Sequence, residues 1–408
     1  MNSLSDKLKA LGVQVGAKDI KSNSKPATEL KLVDVLPGSW TDTPHGETFI
    51  VRKSYSKDSK LDNHSLRPPS TLKTIAKWDN DPDLVQPSPS EIAYIDTETT
   101  GLAGGTGTYT FLVGVGVFQG DSFVLKQFFM RDPAEESAQL AALESFLAPI
   151  RILVSYNGKS FDLPRLLTRY RAHHWPPPLK NTSHIDLLHI VRRLWGQRLN
   201  SCTLGEIEHH ILGVNRTDED IPGWQIADIF YDYLQTGDPS PLTQIFYHNE
   251  IDILSMVILL QKITNLLDHP TPENIDHPED LLSLARFYNH LDEYEQAIHI
   301  LENAIGDIDD QHEIYYQSIK DLSFLHKKQQ QYSSAVTYWK EAANAGDIEA
   351  HIELAKFCEH HSNAYQDAIH WTLSAMSILD EKGTTESKGH TLYSELEYRL
   401  QRLKRKCS

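Results

Sequence analysis

The sequence predicts an α/β domain with a mixed sheet that opens as a three-strand antiparallel meander, followed by an all-α region of helical repeats. Three observations carry this reading. Between residues 92 and 129, runs rich in β-branched and aromatic residues are separated by short glycine-bearing turns, as in consecutive hairpins. From there to residue 267, helical and strand patterns follow one another. Beyond Pro272 the pattern is helical throughout, and Tyr-x-x-Ala recurs at Tyr294, Tyr332 and Tyr365, in steps of 38 and 33 residues. A period near 34 belongs to stacked two-helix repeats.

Residues 1–88 are polar and poorly periodic. Lys18–Lys25 and Pro68–Pro89 have linker composition, and Glu47–Tyr55 alternates like a strand between them. The expectation is a small, partly ordered lead-in. The first strand of the α/β domain holds Ile92, Tyr94 and Ile95, and Thr97 and Thr99–Gly101 end it. Phe111–Phe118 and Ser122–Phe129 form the next two strands around the Gly120-Asp121 turn. Pro133–Phe146 has helical spacing, with Leu140, Leu143 and Leu147 on one side. Ile152–Tyr156 is a fourth strand, and Phe161–His173 a helix. Further helices are expected over Ile185–Trp195, Leu204–Leu212 and Pro241–Leu267, with an acidic loop at Gly213–Gly223. Pro270 and Pro272 mark a boundary. The expected regions are therefore 1–88, an α/β domain over 89–270 and helical repeats over 276–408. In the repeats, Leu284–Tyr288, Asp321–Leu325 and Leu354–Cys358 each precede one Tyr-x-x-Ala copy.

A chain of 408 residues with 40% hydrophobic content supports more than one packed core. The three cysteines, Cys202, Cys358 and Cys407, are odd in number and far apart, which argues against a disulfide framework or a cysteine zinc site. The N-terminal residues lack the apolar stretch of a signal peptide, and no apolar run reaches membrane-spanning length. A soluble protein of the cytoplasm is the expectation.

The chemistry concentrates in Asp96-Thr-Glu98. Alternation puts both carboxylates on one face of the first strand, where they repel unless a cation lies between them. A site that activates water with a metal pair needs more carboxylates, converging from other elements. Asp162 follows the fourth strand at the start of a helix, after an Asn157-Gly158 turn. On the late helix, His248 and Asp252 stand at i and i+4 and share a face.

In that order, on those elements, the residues resemble the ribonuclease H-like 3′-5′ exonucleases of the DEDD superfamily over residues 91–265. Asp96-Thr-Glu98 with Thr99-Thr-Gly-Leu102 matches the first motif. Asn157 through Phe161-Asp162 matches the second, and Asp252 ends the third. The resemblance implies a ribonuclease H-like fold in which Asp96, Glu98, Asp162 and Asp252 hold two Mg2+ or Mn2+ ions. It also implies a metal-dependent 3′-5′ exonuclease acting on single-stranded DNA or RNA. With C-terminal helices that resemble tetratricopeptide repeats, the chain is most similar to bacterial predicted exonucleases of the YprB type. Such repeats imply a protein partner.

One departure concerns the residue serving the attacking water. His248 stands at the spacing of the tyrosine branch, and Tyr247 at the spacing of the histidine branch. A side chain at i+4 lies about 40° around a helix from its partner, one at i+5 about 140°. His248 is therefore the favoured candidate to orient or deprotonate water, with Tyr247 as the alternative. Thr99 and Gly101 after the first motif, and Asn157, Lys159 and Arg165 around the second, are candidates for substrate contact. Asp186 is expected to start a helix or support the site from behind.

Gly101–Gly107 lacks the Gly-Lys-Ser/Thr of a nucleotidase loop. It is either a plain turn or a loop that lets backbone approach a strand end. Charge is segregated: residues 151–203 carry nine bases against two acids, within a chain of net charge −17. Residues 204–275 carry two bases, Arg216 and Lys262, and twelve acids. A phosphate backbone is drawn to the first segment. Tyr170, Trp175 and Trp195 lie in it and either stack on bases or fill the core. The basic tail Arg399–Lys406 is either an arm or a helix end. Two rival readings remain: a ribonuclease H-like scaffold or binding module without catalysis, and a structure-specific endonuclease.

Overall fold

The structure, a computed structural model, describes residues 30–56, 58–101, 107–179, 181–270, 275, 277–306, 313–381 and 387–407. The linker expected at Lys18–Lys25, and residues 102–106 of the glycine-rich stretch, lie outside the described residues. In chain order the first elements are α1 (Leu32–Val35), β1 (Gly38–Thr43), β2 (Gly46–Ser56), the short β3 (Lys60–Leu61) and β4 (His64–Ser65), and α2 (Lys73–Asp79). Next come β5 (Ile92–Thr99), β6 (Thr110–Gln119), β7 (Ser122–Phe129), α3 (Glu136–Leu147), β8 (Ile152–Ser155), α4 (Asp162–Ala172) and β9 (Ser183–Asp186). Helices α5 (Leu187–Trp195), α6 (Leu204–Ile207), α7 (Ile226–Thr236) and α8 (Leu242–Asp268) follow. The last are α9 (Pro278–His290), α10 (Tyr294–Ile305), α11 (Glu313–Lys328), α12 (Tyr332–Asn344), α13 (Ile348–His360), α14 (Tyr365–Glu381) and α15 (Ser387–Cys407).

The chain folds as two compact units, each drawn from separated segments. Among the described residues, one holds those up to Leu66, those within 89–184 and Val214–Met256; the other holds Arg67–Ser88, Ile185–Gly213 and those from Val257. The linear reading expects three consecutive regions, whereas these segments interleave.

In the first unit the sheet order is β1-β2-β7-β6-β5-β8-β9. The expected meander is present, with β5, β6 and β7 antiparallel, and β8 runs parallel to β5. The lead-in holds more than expected. β2 pairs with β7 in the register Phe49↔Phe129, and β1 pairs with β2. Strand β6 is buried along nearly its whole length, which is why it reads as a continuous apolar run. One core joins Ile95, Val113, Val115 and Phe128 of the sheet to Leu140 and Leu143 of α3 and Leu166 and Tyr170 of α4. A second joins Phe49, Phe111 and Phe129 to Phe230 of α7 and Ile245 and Phe246 of α8.

The glycines of β6 seat α8. A Cβ at Gly114 would stand 2.1 Å from Asn249 Oδ1 and 2.5 Å from Ile253 Cδ1, and one at Gly116 would stand 2.9 Å from Ile253 Cγ2. Only glycine lets the helix lie this close to the strand. Gly114 pairs with Asp96 on one side and Gln127 on the other, so α8 crosses the sheet at the row that carries Asp96.

In the second unit the helices from α9 to α14 form three successive pairs, α9–α10, α11–α12 and α13–α14. Each pair turns through one left-handed residue, Asp292 (φ 59°), Gln330 (φ 60°) or Asn363 (φ 53°), two positions before Tyr294, Tyr332 or Tyr365. The alanines of the three Tyr-x-x-Ala copies, Ala297, Ala335 and Ala368, are fully buried. The sequence repeat is thus a repeat of turn and packing. The basic tail is not an arm: Arg399, Arg402 and Lys406 of α15 close on the buried Glu359 of α13 at 2.7–3.0 Å.

Three other expectations change. Ile185 and Asp186 belong to a strand, Ser183–Asp186, rather than to the helix expected from Ile185, while Asp186 does start α5 as expected, accepting a hydrogen bond from Leu188 N at 3.2 Å. Tyr170 and Trp195 are core residues, and the Tyr170 hydroxyl donates to Leu140 O at 3.0 Å. Trp175 is partly buried against the same core as Tyr170. Stacking on bases by Tyr170 or Trp195 is therefore ruled out by burial. Arg169 is likewise spent internally: it is buried with Glu136, Nη2 to Oε2 at 2.7 Å.

Candidate active site

The site grows from the edge of β5. Asp96 and Glu98 are half-buried on one face, and the β5–β6 register slips between Glu98 and Thr99. Asn249 of α8 donates from Nδ2 to Asp96 Oδ2 at 2.8 Å. Its Oδ1 accepts from Gln127 Nε2 at 2.9 Å, and Gln127 Nε2 also donates to Phe246 O at 2.8 Å. Both ends of the amide are thus fixed, and the carboxylate of Asp96 is fixed with them.

Asp162 is the first residue of α4 and is buried. It accepts a hydrogen bond from Thr97 Oγ1, which ties the second motif to the strand of the first. Asn157 takes a left-handed turn (φ 63°) just before. A Cβ at Gly158 would meet Ser155 Oγ at 2.3 Å, so the turn leaves no room for a side chain there.

Asp252 lies one turn after His248 on α8, and His248 Nε2 is 3.8 Å from Asp252 Oδ2. His248 Nδ1 is 2.8 Å from Asp220 Oδ1 and 3.2 Å from Arg216 Nη1, so the acidic loop holds that edge of the ring. The same loop brings Arg216, whose guanidinium pairs with Asp252 and reaches Asp220 at 3.3 Å. Tyr247 points elsewhere on the loop: its hydroxyl oxygen accepts from Thr217 Oγ1 at 3.0 Å.

The electrostatics draw these elements into one site. Burial, and then the charges of Asp252 and Asp162, push the Asp96 carboxyl well above the ordinary carboxylate range, against the pull of Asn249 and Arg216. Glu98 is raised the same way, by burial and then by Asp96, Asp252 and Asp162, with Arg216 opposing. Asp96 and Glu98 therefore both feel the charges of Asp162 and Asp252. Among the described residues, however, no three His, Cys, Asp or Glu side chains stand close enough to ligate one ion. Asp96 is turned to Asn249, Asp162 to Thr97 and Asp252 to Arg216. The donor set consists of carboxylate oxygens, the chemistry that hard divalent cations take, and Asp96 and Glu98 are raised by burial and then by neighbouring acids where such a cation would relieve them.

The expected substrate contacts are scattered around this rim. Asn157 and Lys159 are exposed on the turn before α4. Thr99 Oγ1 donates to Gly101 O at 3.0 Å. Arg165 lies over the Phe161 ring and donates to Phe161 O at 2.8 Å. Asp220, Arg216, Asn249, Gln127 and Thr97 escape a reading of motifs. One signal was present: Arg216 is one of only two bases in the acidic stretch 204–275.

A model of the ribonuclease H superfamily matches residues 93–264. The Bacillus subtilis (strain 168) protein YprB, itself uncharacterized, is 33% identical over 330 residues, which cover 78% of this chain and 76% of that protein. Among solved structures, the family B DNA polymerase of the archaeon Pyrobaculum calidifontis aligns over 60% of this chain and 30% of its own, at 16% identity and a TM-score of 0.34.

Proposed function

Because this chain belongs to the family of Bacillus subtilis YprB and carries a ribonuclease H superfamily domain over residues 93–264, we propose that it is a metal-dependent 3′-5′ exonuclease. Its substrates are single-stranded ends of DNA or RNA. The observation that carries this reading is that Asp96 and Glu98, on one face of β5, are raised by burial and then by the charges of Asp162 of α4 and Asp252 of α8. Asp96, Glu98, Asp162 and Asp252 would hold two Mg2+ or Mn2+ ions. Such ions supply an activated water and stabilise the departing 3′ oxygen.

The chain's own groups do the rest. Asp220 holds the His248 ring through Nδ1 and leaves Nε2 on the Asp252 side to take a proton from water. Tyr247 is the alternative for that proton. Asn249 orients Asp96. Thr99, Gly101, Asn157, Lys159 and Arg165 are the substrate contacts of this reading. The helix pairs after residue 278, read as tetratricopeptide-like repeats, would bind a partner protein. No helix of the described chain is long and apolar enough to cross a membrane.

The test is Mn2+-dependent shortening, one nucleotide at a time, of 5′-labelled single-stranded DNA and RNA. An Asp96→Ala protein that digests as fast as the parent removes the metal reading. Long products cut from branched substrates would point to an endonuclease instead. A second reading, a nucleic-acid-binding scaffold without catalysis, draws support from Arg216 sitting on Asp252. A melting temperature unmoved by millimolar Mn2+ would favour it.

A further inference from the structure

Arg216 pairs with Asp252 of the acid cluster, and its setting is built rather than incidental. Its loop is pinned by Val214 and Ile221, both buried, and by Thr217 on Tyr247. Asn215 N also donates to Asp62 Oδ2 at 3.1 Å. Between these anchors the guanidinium is half-buried, bridges Asp252 and Asp220, and lowers the energy of ionised Asp96 and Glu98. A guanidinium fork satisfies a carboxylate from two directions, as an ion would, but it leaves with the loop rather than with solvent.

We propose that Arg216 is an exchangeable internal counter-cation: it yields Asp252 to a divalent ion and passes its fork to a phosphate of the nucleic-acid strand. The inference rests on the reading of the four acids as metal holders. Its physical basis is charge balance. Once Asp252 faces an ion, the half-buried guanidinium keeps Asp220 but loses its strongest partner. A partly desolvated cation that gives up one of its two carboxylates is under-compensated, and a second anion restores the balance. The anion that enters a nuclease site is a phosphate, whose oxygens match the fork. The same residue thus couples metal loading to strand binding, with opposite signs.

The experiment uses the full chain as parent, Arg216→Gln and Arg216→Lys. Calorimetry measures Mn2+ alone; a second titration measures single-stranded oligonucleotides of DNA and of RNA with Ca2+ present to slow turnover. Both variants are expected to bind Mn2+ at least about fivefold more tightly than the parent, since lysine keeps the charge but loses the fork. Arg216→Gln is expected to bind the oligonucleotide about tenfold more weakly. Parental Mn2+ affinity in Arg216→Lys overturns the exchange, because simple charge repulsion then explains Arg216→Gln. Both affinities falling together overturns it as well, since loss of a merely structural bridge would do that. If neither the parent nor the variants bind Mn2+, the metal reading fails and takes this inference with it. Binding by the parent with no gain in the variants sinks the exchange alone.

Discussion

The Nδ1 atom of His248 and the Oδ1 atom of Asp220 are 2.8 Å apart, although 28 residues of sequence separate them. One lies on a long buried helix and the other on an acidic loop, and the pair fixes which imidazole nitrogen remains toward Asp252. Asp220→Asn keeps the shape of the side chain against Nδ1 and removes its charge. We expect a native melting curve, an unchanged KM and kcat lower by roughly tenfold or more. A kcat equal to the parent's would show that Asp220 only pins the loop.

Asp96 and Glu98 make the metal-free protein less stable than its core allows. Their folded carboxyls are raised above the ordinary values of 3.8 and 4.5. The folded state therefore binds protons more readily than the unfolded chain, and the penalty of ionisation grows as pH rises through the raised values. In EDTA, Asp96→Asn should melt higher than the parent at pH 7.5, by roughly 2–4 °C for each kcal/mol of strain relieved. The difference should shrink on acidification as the parent carboxyl takes up its proton. With Mn2+ present the order should reverse, because the parent gains a ligand that binds only its folded form.

Gly114 links packing to the site. A methyl group there would overlap Asn249 Oδ1 and Ile253 Cδ1. Gly114→Ala should cost about 1–3 kcal/mol in urea unfolding, the usual range for overpacking. It should also lower kcat, because Asn249 cannot move without releasing Asp96. Full activity in a stable Gly114→Ala protein would mean that α8 need not lie so close.

Glu359 anchors the C-terminal helix. Burial alone would raise its carboxyl, but hydrogen bonds from Arg402 and Lys406 overturn that and hold it at about 2. A depressed carboxyl stabilises above its ordinary value of 4.5, and the gain is lost as pH falls toward 2. Glu359→Gln leaves Arg399 and Arg402 without their anion. It should cost on the order of 3 kcal/mol locally. Amide exchange should speed up across α15 and remain parental around β5. Uniform protection throughout would contradict the anchor.

Much of this was legible because the signals are local. The turn at Gly120 sets the β6–β7 hairpin, alternation aligns Asp96 with Glu98, and one helical turn joins His248 to Asp252. Three tyrosines with three buried alanines marked the helix pairs. What escaped depends on distance along the chain. The docking of β2 on β7 brings Phe49 beside Phe129, and no local period specifies that register. Arg216 reaches Asp252 across 36 residues, and a loop of mixed polar residues gives no hint of where it folds back. Ile185 reads as helix because it runs on into Leu187 and Leu188, and a strand of four residues carries no period of its own. The basic run around residue 170 misled in another way: net charge counts Arg169 as available, whereas Glu136 neutralises it inside the fold.

The central claim is that Asp96, Glu98, Asp162 and Asp252 share divalent ions. Calorimetric titration of the full chain with Mn2+ tests it most directly. The account predicts two ions per chain for the parent, and fewer or weaker sites for Asp162→Asn and Asp252→Asn proteins that still melt cooperatively. A parent that takes up no Mn2+, or both variants binding as the parent does, would contradict it.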